Sequence, residues 1–257
     1  MAPAKPLEGK DAMKLGRYRF GDAETPAELA AAMALRDAAF GAGQRDGFDA
    51  ASRHSIVRES DGGRVVAALR YSLHADGPGL LRGYAAQFYD LAGLAGQPGK
   101  FLEIGRLCLS PEGGGDGEVL RLIWAGLTRI VDEGGVRVLL GCASFPARDL
   151  GALRASLALA ARHLGPCAFA PRARSGRVAV LSDEPVKGED QAEGLRRMPP
   201  LLRFYLTMGG WVGPDLVADP ALGSVLLFTA LETGAVPPAR ARALRLLAGA
   251  GARNAQV

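Results

Sequence analysis

The turn Asp61-Gly62-Gly63 is the tightest constraint in this sequence, because it falls between two strand-like runs, 55–59 and 64–74. Glycines at that position predict an antiparallel hairpin. A hairpin commits the chain to a sheet with a face to cover, and the flanking sequence supplies helices to cover it. Upstream, Thr25-Pro26-Ala27-Glu28 reads as a helix start: Thr25 caps, Pro26 suits the first helical position, and Glu28 completes a capping box. That helix is expected to run to about Phe40 and to stop at Gly41 and Gly43.

Downstream, 101–109 reads as a third strand. The stretch Glu112-Gly113-Gly114-Gly115-Asp116-Gly117 leads into a helix whose stripe Leu120, Ile123, Trp124, Leu127 and Val131 predicts one buried face. Glu133-Gly134-Gly135 ends this helix, and 137–145 forms another strand with a buried-looking Val138-Leu139-Leu140. A further helix is expected over 150–163, short strands over 178–181 and 225–229, and a last helix over 238–248. The element order predicts an α/β (α+β) architecture with a mixed central sheet flanked by helices.

A chain of 257 residues fits one large domain or two small ones. The expected division is a loose arm over 1–14, one main domain over 15–235, and a basic C-terminal helix or tail over 236–257. The start carries Lys5, Lys10 and Lys14 but no apolar run, so no secretory signal is read there. No stretch reaches the ~18 uncharged apolar residues of a spanning helix. A cytoplasmic location follows as the expectation, with peripheral contact to an inner membrane left open. Cys108, Cys142 and Cys167 lack metal-type spacing, so reduced thiols and no metal site are expected. The net charge of +4 suits an acidic partner or an anionic membrane surface. Without a long Lys/Arg run or basic–aromatic motif, nucleic acid is not an expected partner.

Several charges sit where apolar residues belong. Arg36 falls inside the stripe Leu29, Met33 and Phe40, so its guanidinium must reach water or find a carboxylate. Asp46-Gly47-Phe48-Asp49 is either an ordinary turn or the source of that carboxylate. Arg70 shares a strand face with Val66 and Ala68. Glu103-Ile104-Gly105-Arg106 places two opposite charges three apart in a strand, hence on opposite faces. A β-bulge at Gly105 would bring them to one side. Singly, each charge reads as structural, Glu103 as a salt bridge to Arg106. Together they point to a shared polar site.

This combination resembles the polar constellation of acyl-homoserine-lactone synthases, carried by Arg36, Phe40, Asp46, Phe48, Asp49, Arg70, Glu103 and Arg106. The rest of the chain is closer to the ornithine-lipid-forming N-acyltransferases, also described as hemolysin-like GNAT proteins. The carrying segments are YAAQFYDL from Tyr84, EIGRLCLSP from Glu103, GCASFP from Gly141 and MPPLLRFYLTMGGWVG from Met198. The resemblance implies a GNAT-like fold and an N-acyltransferase. It would move a 3-hydroxyacyl chain from acyl carrier protein to the α-amine of ornithine, giving a lyso-ornithine lipid. The donor is the phosphopantetheine thioester of acyl carrier protein, and no cofactor is bound. Some relatives use glutamine, and nothing in the sequence separates the two acceptors.

Two departures bear on this. Glu112 stands where the GNAT pyrophosphate loop expects Arg or Gln, and Asp116 and Glu118 add negative charge at a helix start that favours anions. These acids argue against tight CoA diphosphate binding and for a carrier-protein donor. The Trp that follows the Arg/Phe pair in lactone synthases is absent, since Gly41–Gly43 leads straight to Gln44.

Under this reading Glu103 takes the acceptor's proton, directly or through water. Arg106, Arg36 and Arg70 hold the acids ionised and position the substrate carboxylate. Asp46 and Asp49 lock the arginines or meet the acceptor's amines, and Ser144 lines a substrate pocket. Backbone N–H groups near Leu107 and Cys108 are candidates for the oxyanion. A Cys142 acyl-enzyme is disfavoured, because no histidine stands near it in sequence. Arg240, Arg242 and Arg245 with Leu244, Leu246 and Leu247 read as a lipid-facing segment or a solvated tail. A homoserine-lactone synthase, an acetyl-CoA-dependent GNAT enzyme and a non-enzymatic lipid-binding module are the competing readings.

Overall fold

The computed structural model describes residues 12–43, 45–111, 117–146, 150–182 and 187–253. Strands β1 (Met13–Leu15) and β2 (Tyr18–Asp22) precede α1 (Pro26–Phe40), β3 (Arg53–Glu59) and β4 (Val65–His74). The helical turns α2 (Gly77–Leu80) and α3 (Ala92–Ala95) flank β5 (Tyr89–Asp90), and β6 (Lys100–Leu109), α4 (Gly117–Gly134) and β7 (Val136–Pro146) follow. Then come α5 (Arg154–Ala161), β8 (Arg172–Ala173), β9 (Arg177–Val180), α6 (Gly188–Arg197) and α7 (Pro200–Thr207). β10 (Trp211–Asp219), β11 (Ser224–Glu232) and α8 (Pro238–Arg253) complete the chain. The elements fall into two compact units, one built from residues up to 73, 104–136 and 238 onward, the other from 74–103 and 137–237.

In the first unit the strand order is β1-β2-β3-β4 followed by the later part of β6. β3 and β4 pair antiparallel, Ile56 opposite Ala68 and Val57 opposite Ala67. Gly62 and Gly63 close their turn with φ of 74° and 67°, left-handed values that glycine takes at little cost. The Thr25 capping box is formed, with Glu28 N–H donating to Thr25 Oγ1 and Thr25 N–H to Glu28 Oε2. The face α1 buries differs from the expected stripe. Ala32, Met33 and Arg36 are buried, whereas Leu29 keeps 40% of its surface exposed. Phe40 packs partly buried against Ala32, Ile56, Ala68 and Cys108.

Helix α4 lies close on β2: a Cβ at Gly126 would come within 2.1 Å of the Phe20 ring. Its buried face holds Val119, Leu122, Ile123, Trp124, Leu127 and Ile130, while Leu120 and Val131 are only partly buried. The buried face is therefore rotated from the expected stripe, toward Val119 and Leu122. Met13 and Lys14, expected in a loose arm, belong to β1, and Met13 is fully buried. Helix α8 packs on α4 and ties to it through Arg245, whose Nε and Nη2 each donate to Asp132 at 2.9 Å. Residues 1–11, Gln44 and the stretch 112–116 lie outside the described residues, and with them most of the expected arm and the glycine-rich loop.

In the second unit the first part of β6 is followed by β7-β11-β10-β9. β7 and β11 pair antiparallel without a break from Ser224 opposite Pro146 to Glu232 opposite Val138. β10 pairs with β11 but shifts register between Val212 and Leu216, where Pro214 has no N–H to donate. Tyr89, Phe101 and Phe228 are fully buried, and the Tyr89 and Phe228 rings meet edge to face at 5.6 Å. α6, α7 and β10 were not expected from the sequence; their segment is broken by Pro199, Pro200, Gly209, Gly210 and Pro214. No helix among the described residues is long and apolar enough to cross a membrane.

Candidate active site

Five of the sequence-marked charges converge in the first unit. α1 carries Arg36, β4 carries Arg70, β6 carries Arg106, and the loop before β3 carries Asp46 and Asp49. Arg36 and Arg70 are 2% and 4% exposed, so their charges need partners in place. Arg36 Nη1 donates to Asp49 Oδ1 at 2.6 Å. Arg70 Nη1 donates to the same oxygen at 2.7 Å and to Asp46 Oδ1. Arg106 Nη2 donates to Asp46 Oδ2 at 3.1 Å. The loop closes on itself as well, Asp46 N–H donating to Asp49 Oδ2 and Phe48 N–H to Asp46 Oδ1, both at 2.9 Å. The Arg70 guanidinium also lies 5.9 Å from the centre of the Phe48 ring.

Burial works to raise the Asp49 carboxyl, but hydrogen bonds from Arg36, the Asp46 N–H and Arg70 outweigh it and hold it at about 2. Burial acts the same way on Asp46, and Arg70 and Arg106 overcome it, so its carboxyl is lowered. Both acids are anions at neutral pH. Among the described residues the cluster sets three guanidinium groups against these two carboxylates. The carboxylates are taken up by arginines and backbone N–H groups, which favours the locking role for Asp46 and Asp49 over the direct binding of an amine.

Arg106 sits mid-strand with φ of 56°, the one non-glycine residue among those described with a left-handed backbone. A conformation of this kind departs from regular strand geometry. The departure from regular geometry falls on Arg106 itself, one residue beyond the expected Gly105. Arg106 pairs with Asp46 in the first unit, while Glu103 belongs to the second unit and has other partners.

Glu103 is buried and accepts three hydrogen bonds. Tyr84 N–H donates to Oε2 at 3.0 Å and Ala85 N–H to Oε1 at 2.6 Å, and His74 Nε2 stands 3.2 Å from Oε2. The two backbone donors come from the single turn 85–87 and the residue before it. Gly83 makes room for this, since a Cβ there would come within 2.4 Å of Glu103 Oε2. Tyr84 is anchored at its other end by its hydroxyl, which donates to Asp219 Oδ2 at 3.0 Å. Ser144 also belongs to the second unit, half-buried on β7 opposite Leu226 of β11.

The cysteines are poorly placed for nucleophilic work. Burial pushes the Cys108 thiol up to about 11. Burial first, then the negative charges of Glu103 and Asp219, push the Cys142 thiol well above its ordinary value. A thiol so shifted supplies almost no thiolate near neutral pH.

The first unit also holds an open cavity of about 700 Å³ beside the ionic cluster. Its lining includes Asp49 and His54, the apolar Leu29 and Met33, and Arg45 and Arg53 with Asp22 and Glu24. The Asp22 carboxylate is oriented by Ser55 Oγ at 2.7 Å, Tyr71 OH at 3.0 Å and Arg53 Nη1 at 3.5 Å, all donating. Burial keeps the His54 imidazole below its ordinary range, and the neighbouring positive charges add to this. The sequence reading missed Asp22, His54 and His74. Asp22 and His54 stand at strand ends, where a polar residue is ordinary. His74 was visible in the alternation Arg70-x-Ser72-x-His74, which puts a third polar group on one edge pattern of β4.

Residues 17–125 match the family model of the acetyltransferase (GNAT) domain. Together with the fold, this defines the chain as a GNAT-type acyltransferase. An L-ornithine N(alpha)-acyltransferase of Rhodobacter capsulatus is 32% identical over 200 residues, covering 75% of this chain and 76% of the relative. A protein of the same name from Brucella abortus is 28% identical over 198 residues, 72% of this chain and 69% of its own length. This chain belongs to the L-ornithine N(alpha)-acyltransferase family. Among solved structures, FeeM, an N-acyl amino acid synthase from uncultured soil microbes, matches with a TM-score of 0.52 at 13% identity, over 91% of this chain and 97% of FeeM. At that identity the match speaks for the fold alone.

Proposed function

We propose that this enzyme transfers a 3-hydroxyacyl chain from the thioester of acyl carrier protein to the α-amine of ornithine, giving a lyso-ornithine lipid. The observation that carries the reading is the first-unit cavity, which Asp49 of the ionic cluster lines together with the carboxylates of Asp22 and Glu24 and the guanidinium groups of Arg45 and Arg53. Ornithine at neutral pH carries one carboxylate and two ammonium groups. Arginine forks suit the carboxylate, and Glu24, with the negative charge of Asp22 behind it, suits a cationic side chain. Glutamine, with no side-chain charge, makes less use of those acids, so ornithine is the better match.

The reaction is aminolysis. The α-ammonium, which in water loses its proton at about pH 8, must do so before its nitrogen attacks the thioester carbon. We assign that proton removal to the group built on Glu103, on the resemblance of the EIGRLCLSP segment and not on the first-unit cavity, which Glu103 does not line. The roles of Arg36, Arg70 and Arg106 follow from the cluster: they hold Asp46 and Asp49 in place as anions beside the cavity that Asp49 lines. Phe40, expected among the substrate-binding residues, takes a packing role in this reading, against Ala32, Ile56, Ala68 and Cys108. The carrier-protein donor is supported by the net charge of +4 and by Glu112, Asp116 and Glu118, which oppose the binding of a CoA diphosphate. On the exposed side of α8, Arg240, Arg242 and Leu246 offer a basic and apolar surface for peripheral contact with anionic lipid. Arg245 is committed to Asp132 and takes no part in it.

Purified protein incubated with 3-hydroxyacyl carrier protein and ornithine, glutamine or lysine, with mass spectrometry of the products, tests this directly. N-acyl ornithine as the main product is expected. Turnover of acetyl-CoA without carrier protein, or no acylated ornithine, would refute the reading.

A further inference from the structure

We propose that His74 is the proton acceptor of this reaction, with Glu103 as its positioning residue; the inference rests on the aminolysis reading above. A carboxylate offers about four acceptor sites, and three donors already occupy that of Glu103: Ala85 N–H on Oε1, Tyr84 N–H and His74 on Oε2. Two of the three are backbone groups that do not move with a side chain. Tyr84 is further pinned by its hydroxyl bond to Asp219, and Gly83 brings the chain against the carboxylate where a Cβ would collide. Glu103 is thus held as a fixed hydrogen-bond acceptor for its neighbours.

His74 stands differently. With Nε2 3.2 Å from the carboxylate, the tautomer that carries its hydrogen on Nε2 donates to Glu103 and leaves the lone pair on Nδ1. Nδ1 has no partner among the described residues, and it is not one of the buried polar atoms that lack one, so it reaches accessible space. The imidazole side chain is 12% exposed against 7% for the carboxylate. Between the two groups, the nitrogen lone pair is the acceptor an incoming ammonium can meet. The pair has the logic of an imidazole oriented by a carboxylate, in which the acid fixes the ring and offsets the charge it gains.

In the step itself, Nδ1 accepts a proton from the α-ammonium, and the freed nitrogen lone pair forms the C–N bond at the thioester carbonyl carbon. Collapse of the tetrahedral adduct breaks the C–S bond, and the sulfur leaves with the bonding electron pair. The imidazolium returns its proton to that sulfur, giving the thiol. The second proton lost by the nitrogen goes to solvent, and no atom changes oxidation state.

The test compares His74→Gln, His74→Ala and Glu103→Gln in full-length protein with 3-hydroxyacyl carrier protein and ornithine. His74→Gln keeps a donor toward Glu103 and is expected to lower kcat by about 100-fold or more, with KM for both substrates within about threefold. Added imidazole is expected to restore part of the rate of His74→Ala, and not of the His74→Ala/Glu103→Gln double variant. If His74→Gln runs within about threefold of the wild type, the assignment is wrong. If both His74 variants are slow and imidazole at roughly 100 mM restores nothing, the role is structural and the assignment also falls. Wild-type protein that forms no acyl ornithine overturns the function itself, a result separate from these.

Discussion

The two polar groupings of this enzyme solve the same problem in different ways. In the first unit, buried arginines are neutralised by Asp46 and Asp49, side chain to side chain, with members drawn from one helix, two strands and a loop. In the second unit, the Glu103 carboxylate is held mainly by main-chain N–H groups, with a single imidazole as its side-chain partner. The first arrangement shares each acid among buried guanidinium groups, so losing one acid weakens several buried pairs at once. The second leaves the carboxylate satisfied when the imidazole is changed. Damage should therefore appear as instability in the first unit and as lost turnover in the second.

Asp49→Ala is the strongest test of that contrast. It removes the anion that Arg36 and Arg70 share, and breaking a buried pair costs about 3 kcal/mol or more. Chemical denaturation should show that loss, and an unchanged midpoint would end the claim that the cluster holds the first unit together. Gly83→Ala sharpens the other side. The added methyl would displace the Glu103 carboxylate, so kcat is expected to fall by ~10- to 100-fold while the denaturation midpoint moves little. Equal losses of stability and rate would show that the second grouping is as structural as the first.

The pH dependence of stability should come from the first unit and in a definite direction. The folded pKa of Asp49 is about 2, below its ordinary 3.8, so its contribution is present above about pH 4 and is lost as the pH falls toward 2. Asp46 is shifted the same way and adds to that loss. The folded pKa of His54 is also depressed, because burial disfavours its charged form; its contribution is present above the ordinary 6.5 and wanes as acid drives it to charge. Stability curves measured from about pH 8 to about pH 2 should fall in both windows, and His54→Gln should flatten only the upper one. Arg245→Ala, at an exposed pair with Asp132, should change stability by less than about 1 kcal/mol. A larger loss would mean that α8 contributes more to the first unit than its surface contacts indicate.

Local chemistry made much of this legible from sequence. The Thr25 capping box, the Asp61-Gly62-Gly63 turn and strands β3, β4, β6 and β7 each rest on a pattern contained within a few residues. The presence of Arg36, Arg70 and Arg106 in apolar elements pointed to a buried polar site for the same reason: an unpaired charge there is too costly to persist. What could not be read was the pairing. Arg106 lies three residues from Glu103, yet its acid is Asp46, sixty residues away in sequence. Glu103 takes its donors from Tyr84, Ala85 and His74.

The sequence alone thus determined which residues must be satisfied and which segments become helix or strand, since cost of burial and backbone preference are local properties. The tertiary structure alone decided who satisfies whom, which face of α4 is buried, and that β10 and its neighbouring helices form at all. Those outcomes depend on the register between strands and on how helices pack against them. Contacts between segments far apart in the chain set both, and no short pattern records them.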